Sequence, residues 1–202
     1  VCQGVAGRVS SIPPSVFTEV WAPSLRFGCY PLLGGLNWFA FVRTSESDEL
    51  APDPHGFLLE RTRDWTAPGH KVIAATPPDA VTCAEVVARE PLERWTDGRV
   101  ALLGDAAHAM TPFTGQGACQ AIEDAVVLAE CLRGEPDVPA ALRRYEARRL
   151  PRAVEIWKRS WAAAASAAKK TRTVDPARRD AFAARFERVV WAQLEQTIVQ
   201  PF

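Results

Sequence analysis

Residues 99–117, RVALLGDAAHAMTPFTGQG, hold the side chains best suited to bind something. Asp105 follows an apolar run and a glycine, which places a carboxylate at the carboxyl end of a strand, where open α/β sheets collect their ligands. A carboxylate only accepts hydrogen bonds and can engage two hydroxyls, so Asp105 suits a sugar or polyol chain; a plain turn or cap Asp is the other reading. Further on, Thr114-Gly115-Gln116-Gly117 opens a helical stretch. Its first N–H groups lack intrahelical partners and stand at the positive end of the dipole, favouring an anion or a carbonyl oxygen gaining negative charge. Glycines on both sides of Gln116 let a flat group lie against the backbone, or simply loosen the helix entry. His108 has no Asp, Ser or Cys partner at a recognisable spacing, so it reads as a structural, hydrogen-bonded histidine, and the catalytic residue stays unknown.

Those residues need a strand before them and a helix after them, and the pattern supplies both. RVALLGD reads as a short apolar strand closed by Gly104. From Gly117 the period lengthens, and Ala118, Ala121, Ile122, Ala125, Leu128, Ala129 and Leu132 share one helical face. Upstream, VFTEVWAP, LRFGCYPLL and LNWFAFVR are β-branched or aromatic runs, with Gly34-Gly35 suggesting a hairpin between the second and third. A short helix is expected after Pro54, another in PGHKVIAAT, and a return to strand in AVTCAEVVARE. Beyond Gly134 and the Pro136/Pro139 punctuation, residues 140–171 and 176–199 read as long helices. The fold class is thus mixed, α+β or α/β. Its expected segments are a sheet domain over 1–95, the strand, Gly-Asp and helix unit over 96–134, and a helical region over 135–202.

Composition narrows the rest. With 48% apolar residues the chain can bury a real core. Five cysteines in no metal-ligand spacing read as ordinary buried thiols of a reducing, cytoplasmic setting, with no metal expected. No leader and no membrane-length apolar run is visible. Lysines and arginines balance aspartates and glutamates at 24 each, yet residues 133–189 carry 15 basic against 7 acidic. The arginines alternate with alanines at helical spacing and no nucleic-acid stacking motif accompanies them, so a solvated helix face is the reading, with no nucleic-acid or membrane partner.

The stretch GRVALLGDAAHAMTPFTGQGACQAIEDAVVLAECL closely resembles the second FAD-binding motif of class A flavin-dependent monooxygenases, the para-hydroxybenzoate hydroxylase-like family. The resemblance extends upstream through RFGCYPLLGGLNWFAFVR and REPLERWTDGRV, and downstream through ALRRYEARRLPRA. GQGACQAIEDAVVLAE is most similar to the branch of FAD-dependent urate hydroxylases and zeaxanthin epoxidase-like enzymes. This resemblance implies that Asp105, supported by Gly104, meets the ribityl hydroxyls or the adjoining pyrophosphate. It also implies that Pro112 lies beside the isoalloxazine ring, and that the backbone of Gly115, Gln116, Gly117 and Ala118 faces its pyrimidine edge. In the family NADPH or NADH reduces the flavin, O2 adds to give a C4a-hydroperoxide, and one oxygen passes to a small-molecule substrate. Arg26, Tyr30, Trp38 and Phe39 fall on strands similar to those that cover the substrate, and Phe113 adjoins the ring-facing proline; ordinary core is the alternative for each. An aromatic Phe113 suits an apolar or aromatic substrate better than urate.

Two parts of that family's site are missing from these residues: the GxGxxG Rossmann βαβ unit for the ADP half of FAD, and a later DG motif. The chain is therefore expected to be a carboxyl-terminal portion, inactive without an amino-terminal FAD-binding half, its RVALLG strand left without parallel neighbours. Two other readings stay open: a non-catalytic truncated module that binds a protein partner, and a halogenase or dehydrogenase of the same fold, although the halogenase signature WxWxIP is absent.

Overall fold

Period-two burial near the amino terminus builds an antiparallel sheet. A computed structural model of the chain describes residues 1–12, 16–22, 25–43, 52–65 and 68–168, with side chains to residue 165. The helix expected over 176–199 lies outside the described residues. Contacts divide the chain into two compact units, Val1–Val86 and a second beginning at Val87.

In the first unit, β1 (Cys2–Ala6), β2 (Thr18–Ala22), β3 (Leu25–Leu32), β4 (Gly35–Val42) and β5 (Thr82–Cys83) form one sheet in the order β2-β3-β4-β1-β5. Its pairings are antiparallel, and Leu32 faces Gly35 across the predicted hairpin. The turn itself is Leu33-Gly34, one residue earlier than the glycine pair suggests, with Gly34 at φ +90°. Helices α1 (Pro54–Thr62) and α2 (Gly69–Ala74) form where expected. Asp53 caps α1 by accepting from Gly56 N at 2.9 Å, and Pro54 occupies the first turn, where its missing N–H costs nothing. Phe27, Cys29, Trp38 and Ala40 from one sheet face join Leu58, Val72 and Ile73 of the helices in a fully buried core. Trp38 Nε1 donates to Thr76 Oγ1 at 2.8 Å inside it.

Strand character in AVTCAEVVARE shrinks to the two residues of β5. Cysteine pairing also corrects the expectation of free thiols. Cys2 and Cys83, opposite each other in register, form a disulfide, while Cys29 and Cys131 are buried thiols and Cys119 is exposed.

The second unit starts with the antiparallel hairpin β6 (Thr96–Asp97) and β7 (Val100–Ala101), followed by α3 (Asp105–His108), a 3-10 turn at Pro112–Thr114, α4 (Gly117–Gly134) and α5 (Val138–Ala168). The RVALLGD strand is thus only two residues long, because Leu102 and Leu103 meet no neighbouring ladder among the described residues; Leu102 N instead donates to Trp95 O at 2.8 Å. Helix α5 begins two residues before the expected start. Asp137 Oδ2 accepts from Ala140 N, and Pro139 sits in the first turn as an opener rather than a break. The helix continues through Pro151, which is exposed.

The apolar face expected on α4 is turned outward within this unit. Of that face, Ile122 is 65% and Leu132 42% exposed, whereas Gln120, Asp124, Val127 and Cys131 on the other side are buried. Charged partners on α5 draw the polar stripe in and so override the apolar period. Trp95, Ala107, Val127, Cys131, Ala141, Tyr145 and Ala153 make the apolar part of this core. Among the described residues, no helix is long and apolar enough to cross a membrane.

Candidate functional site

A strand end, two turns and a helix start converge around Asp105. The chain leaves β7 through Leu102, whose carbonyl accepts from Tyr145 Oη at 3.0 Å, and turns at Gly104. Gly104 adopts φ +58° and ψ −143°, a conformation L side chains rarely take, and a Cβ there would also press on Ala121 Cβ at 3.4 Å. Asp105 is the first residue of α3 and exposed. The backbone behind it is braced: Arg89 N donates to Ala109 O, its guanidinium donates to Ala106 O, and Trp157 Nε1 donates to Ala109 O.

Next, Thr111 is locked to α5 through Ser160, with Thr111 Oγ1 3.0 Å from Ser160 O and Ser160 Oγ 2.5 Å from Thr111 O. That lock presents the exposed Pro112 and half-buried Phe113 in the 3-10 turn. Gly115 is left-handed at φ +64°, with nothing within 4 Å of where a Cβ would stand. Helix α4 then opens at Gln116, whose side chain makes no capping bond. The amides of Gly117, Ala118 and Cys119 precede the first intrahelical donor, Gln120 N, which reaches Gln116 O at 2.9 Å. A Cβ at Gly117 would lie 4.0 Å from Asp105 Oδ1, so the carboxylate and the helix start share one recess. Thr114 Oγ1 is buried beside them without a hydrogen-bond partner. Gly104, Asp105, Pro112, Gly115, Gln116, Gly117 and Ala118 therefore lie along one turn-and-helix segment, Gly104 buried within it and the others partly or fully exposed.

Beneath it runs a charged network that sequence reading missed. Asp124 Oδ2 accepts from Gly104 N at 2.9 Å and from His108 Nε2 at 2.6 Å, and Oδ1 accepts from Arg149 Nε at 2.8 Å. Arg149 also reaches Glu123 Oε2 at 2.6 Å and Gln120 Oε1 at 2.8 Å, and Arg152 closes on Glu123. Burial pushes the Asp124 carboxyl up, but bonds from His108, Gly104 and Arg149 outweigh it and hold the group below its ordinary value. Glu123 is lowered in the same way, burial being overcome by Arg152 and Arg149. Burial and the Asp124 charge push the Tyr145 phenol up. His108 is thus a structural histidine with a carboxylate partner 16 residues on, a spacing no local motif flags. The polar residues Gln120, Glu123 and Asp124 on α4, facing Arg149 and Arg152 on α5, were the available signal.

The predicted substrate residues divide. Arg26, Tyr30 and Phe39 lie on the open face of the first unit's sheet, whereas Trp38, one residue from Phe39, points to the opposite face and is fully buried. Strand alternation makes that separation unavoidable, so Trp38 is core. On the open face Arg26 pairs with Glu19 at 2.6 Å and stacks over Trp21 at 4.7 Å. Phe39 lies flat across Gly28, where a Cβ would come within 2.4 Å of its ring, and neighbours Phe17 and Phe41. Phe113 belongs to the second unit.

The family described as FAD binding domain matches residues 51–160, more than half of the 202. Aurachin C monooxygenase/isomerase of Stigmatella aurantiaca is 44% identical over 152 residues, covering 75% of this chain and 40% of that protein. The chain belongs to the FAD-dependent monooxygenase family. Within it, the FAD-dependent urate hydroxylase of Klebsiella pneumoniae is 49% identical over 147 residues, covering 71% of the chain and 38% of the relative. The crystal structure of Klebsiella pneumoniae HpxO complexed with FAD and uric acid matches 99% of this family member at a TM-score of 0.83 and 28% identity. The chain spans about two fifths of the length of these curated relatives and 52% of that solved chain.

The recess has the chemistry to hold part of an FAD. It offers an exposed carboxylate acceptor at a strand end, uncapped helix amides, side-chain-free backbone at Gly115 and Gly117, and a buried hydroxyl without a partner.

Proposed function

We propose that the chain is the carboxyl-terminal portion of an NAD(P)H- and O2-dependent FAD hydroxylase acting on an aromatic or other cyclic small molecule. When bound, FAD would supply the redox chemistry, taking a hydride from NADPH or NADH and activating O2. Asp105 would hold ribityl hydroxyls as an acceptor. The amides of Gly117 and Ala118, with the dipole of α4 behind them, would stabilise negative charge on the ring's pyrimidine edge. Pro112 and Gly115 would lie against the ring, and Phe113 would favour an apolar substrate surface over a polar one such as urate. An amino-terminal half outside these 202 residues would take the ADP portion, so the chain alone is expected to be inactive and to lack micromolar FAD affinity.

The observation that carries the reading is the approach of the Asp105 carboxylate to the uncapped start of α4. Replacing Asp105 with Ala in protein carrying both halves should weaken FAD binding about 10-fold or more, read by flavin fluorescence. Unchanged binding would remove Asp105 from the site. Substrate preference is checked separately by flavin spectral titration, where tight binding of urate would overturn the Phe113 inference.

A further inference from the structure

The protein spends an unusual resource on a single backbone turn. Asp124 is completely buried, and one of its two oxygens is given to Gly104 N and His108 Nε2 together. Gly104 is the residue whose positive φ turns the chain out of β7, and its successor is Asp105. The other oxygen of Asp124 is fixed by Arg149, itself held by Glu123 and Gln120. Asp124 also rides on α4, the helix whose first turn forms the other wall of the recess. The strand end and the helix start, two walls contributed by separate elements, are thereby tied through one carboxylate.

We propose that Asp124 is the positioning residue of the flavin-binding turn, holding Gly104 through one oxygen so that Asp105 is aimed at the start of α4 before any ligand arrives. This rests on the flavin reading of the recess given above. The physical reason is preorganisation. A turn with positive φ and no side-chain cap on its short helix has little of its own to fix its direction, and a misplacement of about 1 Å can cost about 100-fold in a positioned interaction. A buried carboxylate that must satisfy three donors at once has almost no freedom to move, which makes it a stiff anchor.

The test separates positioning from mere support of the fold. In holoenzyme, Arg149→Met leaves the bond from Gly104 N to Asp124, whereas the double variant Asp124→Ala/Arg149→Met removes that bond and the one from His108 together with both members of the Asp124–Arg149 ion pair. The expected result is FAD affinity within about threefold of wild type for Arg149→Met and at least about 10-fold weaker for the double variant, whichever melts lower. Equal affinities in the two variants would overturn the proposal. Wild-type protein provides a second readout that needs no substitution, amide hydrogen exchange at Gly104. That amide should be protected before FAD is added; protection acquired only on adding FAD would equally overturn the proposal. If Asp105→Ala leaves FAD binding untouched in the same assay, the flavin reading falls instead, and the two failures stay distinct.

Discussion

The interiors of the two units differ in their largest buried side chains. In the first, Phe27, Trp38, Leu58, Val72 and Ile73 are fully buried and Trp38 to Thr76 joins side chains of the sheet and helix layers. In the second, Arg149, Tyr145, Gln120 and Asp124 rank among the largest fully buried side chains. An apolar core loses stability roughly in proportion to the volume removed and accepts swaps that conserve it. A core of paired charges is brittle to any single change, because each deletion leaves the remaining partner buried and unpaired. The unit with the candidate cofactor recess is the brittle one, which fixes geometry at the cost of tolerance.

The largest effects should fall on the two centres. Trp38→Ala should cost about 3–5 kcal/mol through its cavity, and Arg149→Met about 3–5 kcal/mol because Asp124 is left buried without its arginine, both read by denaturant unfolding. A cost under about 1 kcal/mol for Arg149→Met would erase the contrast. Acid should discriminate next. Asp124, Glu123 and Glu146, the last on α5 and accepting from the amides of Trp95 and Thr96, all have folded values lowered below their ordinary ones, so the stability they confer is complete above those ordinary values, 3.8 for Asp124 and 4.5 for the two glutamates. It is lost as pH falls through the lower folded values. Melting of the second unit should therefore drop steeply below pH 3.8 in wild type and less steeply in the Asp124→Ala/Arg149→Met variant. Ile73→Val in the apolar core should cost only about 0.5–1.5 kcal/mol. Smallest of all, Glu155→Gln, which removes the surface partner of Arg159, should change stability by about 0.5 kcal/mol or less.

What the sequence makes legible is whatever local pattern decides. The runs around Val20, Phe27 and Phe39 become strands, Pro54 opens α1, and Gly117 opens α4, because period, punctuation and capping act within a few residues. The recess from Gly104 to Ala118 could be read for the same reason, being one contiguous stretch. What stayed hidden depends on partners far along the chain. The inward side of α4 follows from Arg149, 25 residues beyond Asp124, and no helical period reports such a pairing. Trp38 and Phe39 look alike as aromatic strand residues; only the location of α1 and α2 over one sheet face decides which of them is sealed in. RVALLGD has the composition of a longer strand, yet a strand is defined by its neighbours, and β7 has one among the described residues.

The Cys2–Cys83 bond spans 81 residues and joins the first and last strands of the sheet. Topologically it turns nearly the whole first unit into a ring. An unfolded ring has fewer conformations than an open chain, by about 4.5 kcal/mol of chain entropy for a loop of that length. The second unit lies, in sequence, entirely outside the ring, so its own unfolded chain stays open. Thiol reductant should consequently act as a unit-selective denaturant, loosening the sheet while leaving the charged core as it was.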